Sequence, residues 1–261
     1  MRRLLLTGAA GKIGTHLRHA LRDRYAWVLT DQKEVDKTSG QPFHQADVTD
    51  LATLTGLCEG IDTVVHCAAS SQITAGWDEV LPNNIIGLYN ILQAAAAAHC
   101  RRVILAGSYH VVFGYAPTQP VSPTWPVYPV NLYGVSKVWA EAVAAVFAQN
   151  HPLSVICLRL GIVSAAETLR PTQPNLAAVI TYNDLTRLFV AAIEAPAAVK
   201  FGCFPGLSNN RQKRLDIDES VRVLGYVPQD DAFALALANQ RRWGRWRSGV
   251  QRKLKRWLGR S

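Results

Sequence analysis

The chain has 261 residues, 49% of them hydrophobic and 18% charged, and a formal net charge of +9. That length supports one large core, or a core with a small added lobe, and the apolar share suits a buried parallel sheet covered by helices. No run reaches the roughly 18 apolar residues of a membrane span, and the first residues read as a strand with no secretory leader. The five cysteines (Cys58, Cys67, Cys100, Cys157, Cys203) are scattered without metal-ligand spacing, so the expectation is a cytoplasmic protein with reduced thiols and no bound metal.

In chain order, residues 3–7 read as a short apolar strand. It runs into a glycine turn, Gly8-x-x-Gly11-x-x-Gly14, followed by a helix over 15–24. Such a turn brings backbone amides and a helix N-terminus up to a pyrophosphate, with Gly8, Gly11, Lys12, Ile13 and Gly14 along it. A strand over 26–30 ends at Asp31, 17 residues after Gly14. An acid there suits the ribose hydroxyls of NAD and repels the 2′-phosphate of NADP. Further strands are expected at 62–68, 102–107 and 153–159, with helices over 81–99 and 133–150. The alternation predicts an α/β fold: a Rossmann-type, doubly wound parallel sheet. The proline-rich stretch 117–129 reads as an ordered loop. Beyond residue 160 the alternation fades. Three parts are expected: an NAD-binding core over 1–160, a small substrate lobe over 161–240 interleaved with the core, and a basic tail over 241–261.

The helix at 133–150 opens with Tyr133 and Lys137. Three intervening residues place both on one helix face. A free phenol ionises near pH 10, and an ammonium close by favours the phenolate. The pair is therefore a candidate general base for oxidising an alcohol. Ser108, at the end of the 102–107 strand, is placed to hydrogen-bond the reacting oxygen.

These features together resemble the extended short-chain dehydrogenase/reductases, in their NAD-dependent epimerase/dehydratase branch, over residues 1 to about 235. The matching segments are Thr7 to Gly14, Asp47 to Asp50, Val64 to Ala69, Ser108, and Tyr133-x-x-x-Lys137. Within the branch the chain is most similar to the uronate dehydrogenases, through Asn84 to Asn90, Ser108-Tyr109-His110 and Leu132 to Lys137. The resemblance implies that Asp47 and Val48 flank an adenine, that Cys67, Ala68 and Ala69 line the cofactor, and that Asn84 belongs to the polar network of the site. It also implies substrate roles for Ser71 and His110, and a carboxylate clamp for Arg170, whose guanidinium fork suits a uronate. Tyr109 departs from the pattern, standing where those enzymes carry a small amide, and 164–180 fits poorly.

The function expected is NAD-dependent oxidation of a hydroxyl or hemiacetal on a small sugar or sugar acid. Two alternatives stand beside it: a nucleotide-sugar epimerase or dehydratase on the same core, and a non-catalytic dinucleotide-binding protein. The short region after the last expected strand disfavours the former, and the intact Ser108, Tyr133 and Lys137 disfavour the latter. A homodimer is expected by resemblance.

The tail carries nine basic residues and no acid, leaving nineteen of each sign elsewhere. Trp243, Trp246, Val250, Leu254, Trp257 and Leu258 recur at helical steps. The reading is an amphipathic helix at an anionic membrane surface, peripheral to a cytoplasmic protein. Docking on the body or a second subunit is the competing reading, and nucleic acid ranks behind both.

Overall fold

The computed structural model describes residues 1–36 and 40–242; the tail helix expected over 241–261 lies almost wholly outside them. Seven parallel strands form the main sheet: β1 (Arg3–Thr7), β2 (Ala26–Asp31), β3 (Phe43–Gln45), β4 (Thr63–His66), β5 (Arg102–Ala106), β6 (Ser154–Leu160) and, later in the chain, β9 (Phe201–Gly206). Their order is β3-β2-β1-β4-β5-β6-β9. A second sheet pairs β7 (Ile162–Ser164) with β8 (Val179–Thr181), also in parallel. The strand order reverses between β1 and β4, so the loops leaving these two strands diverge and open a crevice at their carboxyl ends.

The strands are apolar throughout because both sheet faces are covered. Side chains alternate between faces. Leu4 and Leu6 therefore enter one core with Leu17 of α1 (Lys12–Ala20) and with Leu185, Leu188 and Phe189 of α6 (Tyr182–Glu194). Leu5 enters the other with Leu54 of α2 (Leu51–Cys58), Ile91 of α4 (Gly87–Ala97) and Phe147 of α5 (Leu132–Asn150). Ala94 and Ala95 of the expected alanine-rich helix are fully buried there, where small side chains let α4 lie close to its neighbours.

The expected strands agree with those formed to within a residue or two. The helix expected over 81–99 begins earlier and is not uniform. It runs from α3 (Trp77–Val80) through a widened π-helical segment, Leu81–Ile86, into α4. The short β3, α2, β7 and β8 lay below what periodicity resolves. Residues 161–240 interleave main-sheet and smaller elements. Within them, β9 extends the main sheet and α6 covers it, while α7 (Asp218–Leu224) and a helix over 232–242 follow. No helix among the described residues is long and apolar enough to cross a membrane.

Candidate active site

Gly8, the first residue past β1, has φ +71°, in the left-handed region that glycine adopts without strain. A Cβ there would stand 2.5 Å from the amide nitrogen of Ala68, and one on Gly14 would stand 2.1 Å from the carbonyl oxygen of Gly8. The turn is thus packed against the loop after β4 on one side and against α1 on the other. Gly11 caps α1 without a side-chain hydrogen bond, and the first turn carries no acid. The helix therefore presents unmasked N–H groups and its positive end to the crevice, as an anionic pyrophosphate requires.

One arm of the crevice, of about 230 Å³, lies beside Asp31, Gln32, Lys33, Val48 and Asn83. The Asp31 carboxylate closes the carboxyl end of β2. One oxygen accepts from the amide of Ala10 at 3.0 Å and the other from the amide of Lys33 at 2.9 Å. The charge is held in place at the glycine turn. Val48 lines this arm, as do Cys67, Ala68 and Ala69. Asp47 does not. Its oxygens are taken by the Gln32 amide at 2.8 Å and by the Thr49 amide and hydroxyl, both at 2.8 Å, so it shapes the wall from behind.

The second arm, of about 390 Å³, shares Gly8, Gly11, Cys67 and Ala69 with the first and extends over the ends of β5 and β6. Its walls include Lys12, Ile13, Ser71, Ser108, His110, Tyr133 and Lys137. Lys12 donates to the carbonyl of Val163 at 2.5 Å, bridging α1 to β7 along one rim. Asn131 caps α5, its side-chain oxygen accepting from Gly134 at 2.7 Å. Tyr133 and Lys137 occupy the first turns of that helix. The Lys137 ammonium donates to the carbonyl of Ala106 at 3.0 Å and lies 5.6 Å from the centre of the Tyr133 ring.

Ser108 is buried and starts a 3₁₀ turn, Tyr109–Val112. Its hydroxyl oxygen accepts from the amide of His110 at 3.2 Å, which leaves its own proton to donate into the cleft. His110 stacks on Phe113, with ring centres 4.5 Å apart, and meets Tyr133 edge-on at 5.5 Å. Burial pulls its pKa below the ordinary value of 6.5, so at neutral pH it is an uncharged imidazole suited to a sugar hydroxyl. Burial likewise pushes the Cys67 thiol up to about 12, against the pull of Lys137, and it stays protonated.

Asn84 sits inside the π-helical segment and is buried. Its side-chain oxygen accepts from the amide of Ser70 at 2.7 Å. Its nitrogen donates to the Ser70 carbonyl at 3.0 Å and to the Ser136 hydroxyl at 2.9 Å. It therefore ties the loop after β4, whose next residue Ser71 lines the catalytic arm, to α5. A π-helical turn displaces one backbone position from the α-helical register, a device common at functional sites.

Arg170 is not brought to the cleft. Its guanidinium Nη1 donates to the carbonyls of Glu167 at 3.0 Å and Leu169 at 2.8 Å, folding back on its own loop, and it is absent from the residues lining either arm. Tyr109, singled out in the sequence as a departure from the pattern, lines the catalytic arm, as do Ile73 and the Gly161–Val163 edge, which sequence reasoning passed over. For these two the available signal was position alone: both follow the ends of core strands.

A glycine-turn crevice at the reversal of a doubly wound parallel sheet, joined to a Ser-Tyr-Lys cleft, defines a dinucleotide-dependent oxidoreductase of the short-chain type. The sequence pattern of the NAD dependent epimerase/dehydratase family matches residues 4–197, and the chain belongs to that family. It is similar to an NAD-dependent glucose-6-phosphate dehydrogenase of Haloferax volcanii, with 30% identity over 88% of this chain and 94% of the relative. A uronate dehydrogenase of Pseudomonas putida is 31% identical over 88% of this chain and 85% of its own length. Among solved structures, a uronate dehydrogenase mutant from Agrobacterium tumefaciens, complexed with NAD, superposes with a TM-score of 0.84 at 28% identity. That match covers 92% of this chain and 89% of the other. The cofactor expected from the sequence, NAD, is that of the family, and the glycine turn and Asp31 fit it.

Proposed function

We propose that the protein oxidises a hydroxyl or hemiacetal carbon of a small sugar or sugar acid, with Tyr133 as the general base. The observation that carries this reading is that Ser108, Tyr133 and Lys137 converge on one cleft continuous with the glycine turn. NAD held across the crevice supplies the hydride acceptor. The Ser108 hydroxyl donates to the reacting oxygen and orients it. The Tyr133 phenolate takes the hydroxyl proton, and the Lys137 ammonium, anchored on Ala106, stabilises that phenolate and would hold the ribose of the bound cofactor. His110 and Ser71 stand where they can hydrogen-bond the remaining sugar hydroxyls. The carboxylate role of Arg170 has no support from its position.

The test is NAD reduction followed at 340 nm across uronic acids, sugar phosphates, aldoses and polyols, with Tyr133→Phe beside the native chain. Loss of the general base is expected to lower turnover by about 10²–10⁴-fold, while NAD affinity, read by fluorescence titration, is retained. Tight NAD binding without reduction on any sugar would discard the dehydrogenase reading in favour of an epimerase or a non-catalytic role.

The same reading includes a cytoplasmic homodimer whose tail, 241–261, rests on an anionic membrane surface. Tyr89 of α4 and Val146 of α5, 46% and 54% exposed, are apolar residues on adjacent helices and favour a covered face. Sedimentation of the full chain and of a chain ending at 242, alone and with anionic vesicles, reads both points. A monomer that ignores vesicles would remove them.

A further inference from the structure

Beside the catalytic cleft lies a second one, of about 310 Å³, that nothing above uses. Tyr109 lines both, standing between them, and its neighbours in sequence, Ser108 and His110, face the catalytic side. The far wall carries Arg214, which is only 7% exposed. Its two Nη atoms donate to the carbonyls of Gln119 and, at 2.7 Å, Tyr115. No carboxylate lies within ion-pair distance of Arg214 among the described residues.

Two other buried arginines, Arg102 and Arg159, show how such a group is matched within the fold. Arg102, fully buried, gives hydrogen bonds from all three guanidinium nitrogens to Ser154 and to the carbonyls of Ala192, Ile193, Ala195 and Pro196. Arg159 is matched by a bidentate pair with Glu141, at 2.7 and 2.9 Å. Arg214 has two of its five N–H groups engaged and no countercharge. A buried charge left in that state is costly unless something else meets it. The hydroxyl of Tyr109, on the same cleft, has no hydrogen-bond partner among the described residues. The N–H groups that Arg214 has left over and the Tyr109 phenol are donors on one cavity with no acceptor among the described residues, the chemistry that recognises an oxyanion.

We propose that this second cleft receives an anionic group of the sugar substrate, a carboxylate or a phosphate, with Arg214 as its cation and the Tyr109 hydroxyl as a further donor. The proposal rests on the sugar-oxidising reading above and names the substrate class. The reacting carbon lies between Ser108 and Tyr133, and the acid group extends past Tyr109. Arg214 thereby takes the part that the sequence suggested for Arg170. The bulk of Tyr109, which lines both clefts, becomes the partition between the reacting end of the sugar and its charged end.

The experiment compares glucuronate, glucose 6-phosphate and glucose as substrates of the native chain, Arg214→Gln and Tyr109→Phe, with melting temperature and NAD affinity as checks on folding. For Arg214→Gln the KM of the preferred acid is expected to rise about 10–100-fold relative to that of glucose, as loss of a charged hydrogen bond implies. Tyr109→Phe, which keeps the ring, should move the same ratio by about 3–10-fold and serves alone if Arg214→Gln does not fold. Which acid is preferred, glucuronate or glucose 6-phosphate, identifies the group. An unchanged ratio, or glucose weakened as much as the acids, would overturn the proposal and leave Arg214 as a loop anchor.

A second arm needs no turnover. The NAD-loaded full chain and its Arg214→Gln variant are titrated calorimetrically with inorganic phosphate and with acetate. Binding present in the native chain and lost in the variant supports the anion site even if no sugar is oxidised, in which case the sugar-oxidising reading alone fails. Equal heats in both proteins, or none in either, would overturn the site.

Discussion

Asp31 is the side chain on which the choice between closely related cofactors is expected to rest. Both carboxylate oxygens accept backbone N–H groups, from Ala10 and Lys33, so the charge cannot swing away from the end of β2. A ribose diol can share those oxygens, whereas a 2′-phosphate meets a fixed like charge. Asp31→Ser removes the repulsion and leaves Lys33 beside the ribose. The ratio of kcat/KM for NADP to that for NAD is expected to rise by about 10-fold or more, the scale of one charged hydrogen bond gained or lost. Steady-state rates with each cofactor check it, and an unchanged ratio would shift the discrimination elsewhere in the crevice. Ser108 works by a similar local arrangement, because accepting from the His110 amide fixes the direction in which its own proton is available.

Elements place these groups through their ends rather than their middles. β1, β4, β5 and β6 all finish at the crevice, and the residues just beyond each one form its walls. The N-terminus of α1 is held there by the packing of Gly14 on Gly8. Gly14→Ala would put a methyl 2.1 Å from a backbone oxygen, so helix and turn must separate. The overpacking is expected to cost about 1–3 kcal/mol of stability, and the shifted amides should weaken NAD binding by at least about tenfold. Denaturant unfolding and NAD titration measure the two effects, and NAD affinity within twofold of the native chain would argue against that geometry. The π-helical segment before α4 plays the corresponding part on the other side, since its altered register turns Asn84 inward to join the Ser70 loop to α5.

At the scale of the molecule, the reversal of strand order creates a buried polar point as well as a crevice. Thr7 and His66 face each other across β1 and β4, the hydroxyl 2.7 Å from the imidazole Nδ1. His66 is 5% exposed, and burial, helped by the charge of Lys137, lowers its pKa to about 3. In the unfolded chain the same imidazole takes a proton near pH 6.5. Between those values the unfolded state binds a proton that the native state refuses, so stability is full above about pH 6.5 and falls as the pH drops toward 3. A loss of a few kcal/mol over that range is expected at about 1.4 kcal/mol per pH unit. His66→Asn, which keeps a polar atom near the Nδ1 position and does not titrate, should flatten the acid side of a melting-temperature profile. An equally steep fall in the variant would assign acid sensitivity to other groups.

What the sequence by itself determined is what local chemistry encodes. The glycine turn, Asp31, the apolar strands and the Tyr133/Lys137 spacing each follow from a few neighbouring residues, and together they made the fold, the family and the cofactor legible before any coordinates. Ser108 belongs with them, since it directly follows a recognisable strand. The tertiary structure decided what depends on residues far apart in the chain. That β9 completes the main sheet against β6, and that Arg214 lies in a cleft shared with Tyr109, are outcomes of packing between segments distant in the chain, while Arg170 turns back on its own loop through carbonyls one and three residues away. An arginine in a sequence carries its charge but not its direction. Burial and the carbonyls it meets set that direction, and in this protein they turn Arg214, rather than Arg170, toward a cleft beside the catalytic one.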